Sequence, residues 1–552
     1  MSGAACNIAR YLPEMAARQP DALAIALPHR GADGGYHELT YRQLDTESDL
    51  VAHALVAAGI TRGTPTALMV KPGPDFFALT FAMAKVGAVP IVIDPGIGLS
   101  NIKTCLAEAE PEAFIGIRAA QAARLLLGWG RPTLKHLLTV GGRAWFGGTS
   151  LATARRRVGE DAGPFPIADT RSDETAAILF TSGSTGVPKG AVYTHGNFAG
   201  QVETLRRISG VEPGEIDLPT LPVFALFDPA LGMSTIVPDM DPTKPASVKP
   251  AKIFEAIQRY GVTNMFASPA VLGVLARDGV ARGVTLPTLR RVVCAGAPVQ
   301  PAIMDRFLSM LSPDARIVTP YGATEALPVC AVDSREILQP EVRERTASGG
   351  GVLIGRPLDE VEVSVIRIDD GPIETWSDDL RLPDGEVGEI VVRGDVVTEQ
   401  YRNRPDSTRL AKIRCTDDGI AHRMGDLGYI DDEGRLWFCG RKSHRVQTGD
   451  ATLYPIPCEM IFNVQPAVHR TALVSVERGG EITPVLCVEL DPDARDADRA
   501  TVESQLMALG AKHATTRSIR EVLFHPAFPV DIRHNAKIDR PALGRWAQGQ
   551  LR

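Results

Sequence analysis

The chain has 552 residues, 44% hydrophobic and 23% charged, which is ordinary globular composition and too much chain for a single core. A net charge of −7, with only short basic clusters such as Arg155-Arg156-Arg157 that read as a solvated helix face, excludes a nucleic-acid binder. Eight cysteines with no C-x-x-C pair and no metal-ligand spacing exclude a disulfide framework and point to a reducing compartment, so a cytoplasmic protein is expected.

Residues 8–18 carry apolar side chains at helical spacing. Arg10, Glu14 and Arg18 break the apolar run that a targeting segment needs, so an amphipathic helix is expected there. Short β-branched runs then alternate with longer amphipathic stretches. Strands are predicted over 66–71, 90–95, 176–182, 262–268 and 290–296, and helices over 76–86 and 250–260. The most apolar region, 76–93, is interrupted by Lys85, Gly87 and Pro90 and is too broken to span a membrane. This alternation predicts an α/β fold of parallel sheets covered by helices.

From about Val352 the pattern changes to alternating strands, VEVSVI, GEIVVRG and GRLWFCGR, separated by Gly, Asp and Pro. That predicts a small antiparallel, barrel-like part. Beyond Arg441 strands and a helix mix again, as in a small α+β domain. The expected division is an N-terminal domain over 1–440, with 350–440 its barrel-like part, and a C-terminal domain over 441–552.

After the strand AAILF comes TSGSTGVPKG, residues 181–190. It is not a Walker loop, because Lys189 stands between Pro188 and Gly190. Small residues following a strand expose many N–H donors and hydroxyls, and a lysine closes the run, which suits phosphate. A lone Gly/Ser loop serves equally as a linker. Its setting between two apolar strands argues for the ligand.

The longer stretch ILFTSGSTGVPKGAVYTHGNF resembles the signature of adenylate-forming enzymes, the acyl-CoA synthetases, luciferases and peptide-synthetase adenylation domains. CAGAPV, PYGATE, IGRP with DGEVGEIVVRG, GDLGYIDDEGRLWFCGR and HNAKIDR are similar to later motifs of that family, in the family's order. The resemblance implies two parallel-sheet subdomains plus a small barrel, and a mobile C-terminal lid. It also implies ATP and Mg²⁺, and attack of a carboxylate on the α-phosphate to give an acyl-adenylate and pyrophosphate. Bringing two anions together calls for positioning and positive charge rather than a proton-transfer base.

By this resemblance Thr181, Ser182, Gly183, Ser184, Thr185, Gly186 and Lys189 cradle the β- and γ-phosphates. Tyr321, followed by Gly322, stacks on adenine beside the backbone of Gly296, Ala297 and Pro298. Thr324 touches the α-phosphate and Glu325 helps to hold Mg²⁺. Asp426 accepts the ribose hydroxyls with Arg441 nearby, and Lys537 stabilises charge in the adenylation step. Outside their motifs Tyr321 would read as a core residue, Glu325 as a helix cap and Lys537 as a solvated side chain.

Three features depart from the thiol-transferring members. In LPVFALFDP the family's bulky gate, linked to the pantetheine tunnel, is replaced by Ala225. The hinge has Ser443 where Asp or Lys is common, with Gly449 one place early, and Asn535-Ala536 precede the lysine where a small residue and Gly are usual. GRKSHRVQTGD and FPVDIRHNAKIDR resemble the OleC-type β-lactone synthetase branch of bacterial long-chain olefin biosynthesis. That branch implies a 2-alkyl-3-hydroxy acid as substrate, closed by its own hydroxyl. It also implies a thiolase-like condensing enzyme, a reductase and a β-lactone decarboxylase as partners. Phe224, Ala225, Asp228 and His195 are placed at the acyl site, the last two as candidates for taking the hydroxyl proton. A fatty acyl-CoA or acyl-carrier-protein ligase and a non-catalytic nucleotide-binding protein are the competing readings.

Overall fold

The computed structural model describes residues 6–29, 35–181, 187–416, 419–530 and 537–551. The expected helix over 250–260 forms as Pro250–Tyr260, with Pro at its first position and Gly261 (φ +63°) closing it. It buries Ile253, Phe254, Ala256 and Ile257 along one stripe. Each large apolar side chain so buried stabilises by about 1.5–3 kcal/mol. Residues 8–18 open as a 3-10 turn, Ile8–Arg10, because the Asn7 side chain accepts the Ala9 N–H, and continue as the helix Tyr11–Arg18. The apolar stretch over 76–93 divides at Gly87 (φ +74°) into the helix Pro74–Val86 and the strand Val89–Val92. Among the described residues no helix is long and apolar enough to cross a membrane.

Two large sheets carry the N-terminal part. The first runs Thr149–Ser150, His136–Val140, Ala113–Ile117, Pro65–Met69, Val89–Val92, Thr175–Phe180, Gly190–Thr194 in space. Its pairs are parallel except the last, an antiparallel pair that sets Phe180 opposite Gly190. The second begins with Tyr36–Thr40 and Leu23–Pro28, then continues in parallel through Ser234–Ile236, Ile216–Pro219, Asn264–Ala267, Arg291–Cys294 and Arg316–Ala323. The first sheet is therefore inserted within the second: strands from the chain's start complete the second one.

The antiparallel part is hydrogen-bonded to that second sheet. Arg316–Ala323 folds back on Ala326–Asp333, which pairs with Val352–Pro357. Pairing passes from there through Leu436–Arg441, Ile420–Ile430, Gly388–Gly394 and Val361–Ile366. Beyond residue 446 the chain has its own sheet, Val468–Arg478, Glu481–Leu490 and Glu521–Phe524, and two apolar clusters composed of its own residues. A large N-terminal part of parallel sheets and a small α+β C-terminal part are the fold class expected from sequence. All eight cysteines are free.

Candidate active site

The site collects at the carboxyl ends of strands, where open α/β sheets bind ligands. Arg316–Ala323 and Ala326–Asp333 form a hairpin whose tip is Thr324 and Glu325. Gly322 is required there, since a Cβ would meet the Ala326 carbonyl at 2.7 Å. The tip is tied from three sides. Tyr193 donates its hydroxyl to the Thr324 carbonyl at 2.5 Å, Thr398 donates its N–H and hydroxyl to the Glu325 carbonyl at 2.9 and 3.1 Å, and Tyr401 donates to Glu325 Oε1 at 2.5 Å. Burial, and then Glu325 beside it, push the Tyr401 hydroxyl far up, so it stays a donor.

Thr398 and Tyr401 lie on a strap that no motif announced. Val397 bridges Ala326 and Tyr401 bridges Ala191, so the strap fastens the hairpin tip to the first sheet. The Lys189 ammonium stands 5.1 Å from the centre of the Tyr401 ring. The backbone of Lys189 closes on Thr181, whose N–H donates to the Lys189 carbonyl at 3.0 Å and whose hydroxyl accepts the Lys189 N–H at 3.1 Å. The candidates Ser182, Gly183, Ser184, Thr185 and Gly186 lie outside the described residues. Beneath the strap the buried Lys412 donates to the Thr398 carbonyl and, across from it on the neighbouring strand, sits the buried His422. Burial lowers the Lys412 ammonium to about 7, against the pull of Glu325 and Glu399.

The sugar-binding candidates form a second cluster. Asp426, in the strand Ile420–Ile430, follows Gly425, whose φ of +64° favours glycine. It is 5% exposed, accepts the Tyr321 hydroxyl at Oδ2 (2.7 Å) and faces Arg441 Nη1 across 3.0 Å at Oδ1. The Arg441 approach lacks hydrogen-bond geometry, and Oδ1 is a buried acceptor with no hydrogen-bond partner among the described residues. Arg441 offsets the charge on this oxygen, and the hydrogen-bond position left open is one that a ribose hydroxyl fills as a donor. Arg441 feels Asp426 foremost, and Tyr321 and Glu325 as well, which raises it further; the two clusters thus share one electrostatic field. Gly296 (φ +102°), Ala297 and the exposed Pro298 form an open turn after the strand Arg291–Cys294.

Lys537 is half-buried and lies in the C-terminal part, next to Ile538, which bridges Val530. Asn535 and Ala536 lie outside the described residues. Three residues on, Arg540 grips the buried Glu459 at 2.5 and 2.9 Å, which holds the lysine-bearing segment to the helix Pro455–Phe462. His444, one residue past the exposed Ser443, is pushed down to about 3 by burial and by Arg540 and Arg441, so hinge, lysine segment and sugar cluster are electrical neighbours. Gly449 is exposed.

The acyl-site candidates separate. Phe224 stacks on Phe266 at 4.1 Å, and a line of rings, Phe227, Phe198 and Tyr193, leads from the same segment to Thr324. Ala225 faces the other way, into a core cluster with Leu12, Phe77 and Phe81. Asp228 is buried, bonded to Thr235 and close to Asp217; burial and Asp217 together raise it well above the carboxylate range. His195 begins a helix at the end of Gly190–Thr194 away from the loop, roughly 15–20 Å by strand rise. It is buried beside Glu174, Arg62 and Cys6, and burial lowers it to about 4. Among the described residues no hydrogen bond or ion pair joins His195 or Asp228 to Thr324 or Glu325.

Residues 12–402 match the family model described as AMP-binding enzyme. The olefin beta-lactone synthetase of Xanthomonas campestris pv. campestris is 50% identical, over 99% of this chain and 98% of its own. That of Stenotrophomonas maltophilia is 50% identical, over 99% of each chain. Among solved structures, an amide bond synthetase from Marinactinospora thermotolerans superposes with a TM-score of 0.79 at 23% identity, covering 98% of this chain and 99% of the other.

Proposed function

The chain belongs to the AMP-binding enzyme family, and from that premise we propose that it is an ATP-dependent β-lactone synthetase acting on long-chain 2-alkyl-3-hydroxy acids. The observation that carries the reading is the end-to-end 50% identity with two olefin beta-lactone synthetases. The buried Oδ1 of Asp426, ion-paired with Arg441 but without a hydrogen bond among the described residues, supports a nucleotide whose ribose supplies a donor.

In the proposed first step a carboxylate oxygen of the acid bonds to the α-phosphorus of ATP and pyrophosphate leaves. Asp426 and Tyr321 orient the nucleoside, and Thr181 with Lys189 faces the phosphates. Lys537, carried by the lid of residues 441–552, offsets charge as the new bond forms. Glu325 would hold Mg²⁺ through the oxygen that does not meet Tyr401, together with phosphate oxygens, and the ion would neutralise phosphate charge. In the second step the 3-hydroxyl oxygen bonds to the acyl carbon and AMP departs with the original carboxylate oxygen. The AMP phosphate is the proposed acceptor of the hydroxyl proton, since His195 is buried with its imidazole lowered to about 4 and Asp228 is buried with its carboxyl raised and bonded to Thr235. Holding the hydroxyl against the acyl carbon is worth about 7–11 kcal/mol of barrier, which offsets part of the ring strain. The aromatic line from Phe227 through Phe198 to Tyr193 is the proposed wall of the acyl site. The condensing enzyme, reductase and decarboxylase of the same route are the proposed partners.

The test is to incubate the protein with ATP, Mg²⁺ and a 2-alkyl-3-hydroxy acid, with and without coenzyme A, and to identify the organic product by NMR at low temperature. A β-lactone formed without coenzyme A is expected. A thioester that appears only with coenzyme A would replace this reading with that of an acyl-CoA ligase.

A further inference from the structure

The surface around the helix Arg118–Leu127 differs from the rest of the molecule. Between residues 113 and 159 the chain has eight Lys and Arg and not one Asp or Glu, in a protein of net charge −7. Some of this charge is spent internally. Arg124 is buried on Gln121 and the Phe146 carbonyl, Lys135 pairs with Glu112, and Arg155 pairs with Glu47. Arg118, Arg131 and Arg143 are exposed, and among the described residues none of them has an acidic partner.

Large apolar side chains stand among these cations. Leu126 is 83% exposed, Leu125 52% and Trp145 68%. The Arg118 guanidinium lies 5.6 Å from the Trp145 ring centre, and Leu125, seven residues on, shares its helix face. Arg118, Trp145 and Leu125 are thus surface neighbours, Leu126 is the next residue of the same helix, and Arg131 and Arg143 are exposed in the segments that follow the helix and the strand His136–Val140.

We propose that this face docks the protein on an anionic lipid surface. The chemistry of the two sides matches: leucines enter the acyl boundary, tryptophan sits at headgroup level, and arginines meet lipid phosphates. A protein-binding patch would share the tryptophan and the arginines, but it is less well matched by the two leucines, 83% and 52% exposed, a residue type under-represented among the groups that carry protein–protein affinity. The use given to the contact, collecting a long-chain acid from a lipid phase, rests on the proposed substrate; the docking itself does not.

Vesicle flotation without ATP or acid tests the contact. The full chain is mixed with phosphatidylcholine vesicles, or with phosphatidylcholine containing phosphatidylglycerol, at low and at physiological salt. Binding only to the anionic vesicles, weakened by salt, is expected. The double variant Leu126→Glu/Arg143→Glu should bind at least about tenfold more weakly, since each cation alone contributes about fivefold. Both positions are exposed, and neither belongs to the nucleotide site. Pyrophosphate release from a water-soluble 3-hydroxy acid should therefore stay within twofold of wild type, which separates loss of docking from failure of the proposed reaction. No flotation with anionic vesicles, or equal flotation of the double variant, overturns the proposal. So does an exposed face that proves to be buried in a complex of this chain with itself or another protein.

Discussion

Replacing Asp426 by Asn isolates the group that the structure leaves waiting for a donor. The side chain is 5% exposed, its Oδ2 is occupied by Tyr321 at 2.7 Å, and Oδ1 meets Arg441 in an ion pair at 3.0 Å but has no hydrogen-bond partner among the described residues. Asparagine keeps the shape and one neutral carbonyl oxygen but removes the charge. A hydrogen bond to a charged acceptor contributes about 1.5–3 kcal/mol. Losing about 2 kcal/mol of this kind should raise the Kd for ATP roughly 30-fold. Isothermal titration gives that Kd, and circular dichroism checks that the variant is folded, because Arg441 loses its counter-charge. The same titration with 2′,3′-dideoxy-ATP completes the cycle. Wild type should lose affinity for the dideoxy nucleotide by a similar factor, whereas the variant should lose less than about threefold further. An Asn variant that binds ATP within twofold of wild type, or that still shows the full dideoxy penalty, would refute the reasoning.

Tyr401→Phe deletes the donor to Glu325 at 2.5 Å and keeps the ring under Lys189. Pyrophosphate release should fall roughly 10- to 150-fold in kcat/KM, the value of one charge-assisted hydrogen bond; an unchanged rate would detach Glu325 from the reaction. Lys537→Ala should abolish pyrophosphate release while ATP titration stays near wild type, and undiminished release would remove the lysine from its role. Asp228→Asn addresses stability. Burial raises Asp217 to about 7 and, with Asp217's charge, raises Asp228 as well, so the folded pair keeps protons that the unfolded chain releases near pH 4. Wild-type stability therefore falls as pH rises through this window, and the Asn variant, free of the buried charge at 228 and of its repulsion with Asp217, should gain in Tm relative to wild type from pH 5 to pH 8. A Tm difference that does not vary with pH would mean that burial and Asp217 do not raise the Asp228 carboxyl.

The elements legible in the sequence are those whose signal is local. Proline and glycine bracket Pro250–Tyr260, and Gly87 splits the apolar stretch before Val89–Val92. The pairing of Leu23–Pro28 with Ser234–Ile236 spans some two hundred residues and has no local signature, so the completion of the second sheet by strands from the chain's start was not legible. The same limit hid the strap. Thr398 and Tyr401 act on Glu325 through contacts over seventy residues apart in sequence, in a stretch with no unusual composition. Lys412 and His422 could have been suspected only from charged residues in an otherwise β-type alternation. Ala225 and His195 show a different gap. Their neighbours in sequence reach the site region, but side-chain direction turns Ala225 into the core, and the strand carries His195 to the far end.

The central claim, that the carboxylate is activated and the 3-hydroxyl then displaces AMP, is tested most directly with substrate carrying ¹⁸O in both carboxylate oxygens and none in the hydroxyl. Mass spectrometry of the two products should find one ¹⁸O in AMP and one in the lactone carbonyl, with an unlabelled ring oxygen. A lactone that retains both labels beside unlabelled AMP would show that the hydroxyl, not the carboxylate, is the group activated, and would contradict the proposed mechanism.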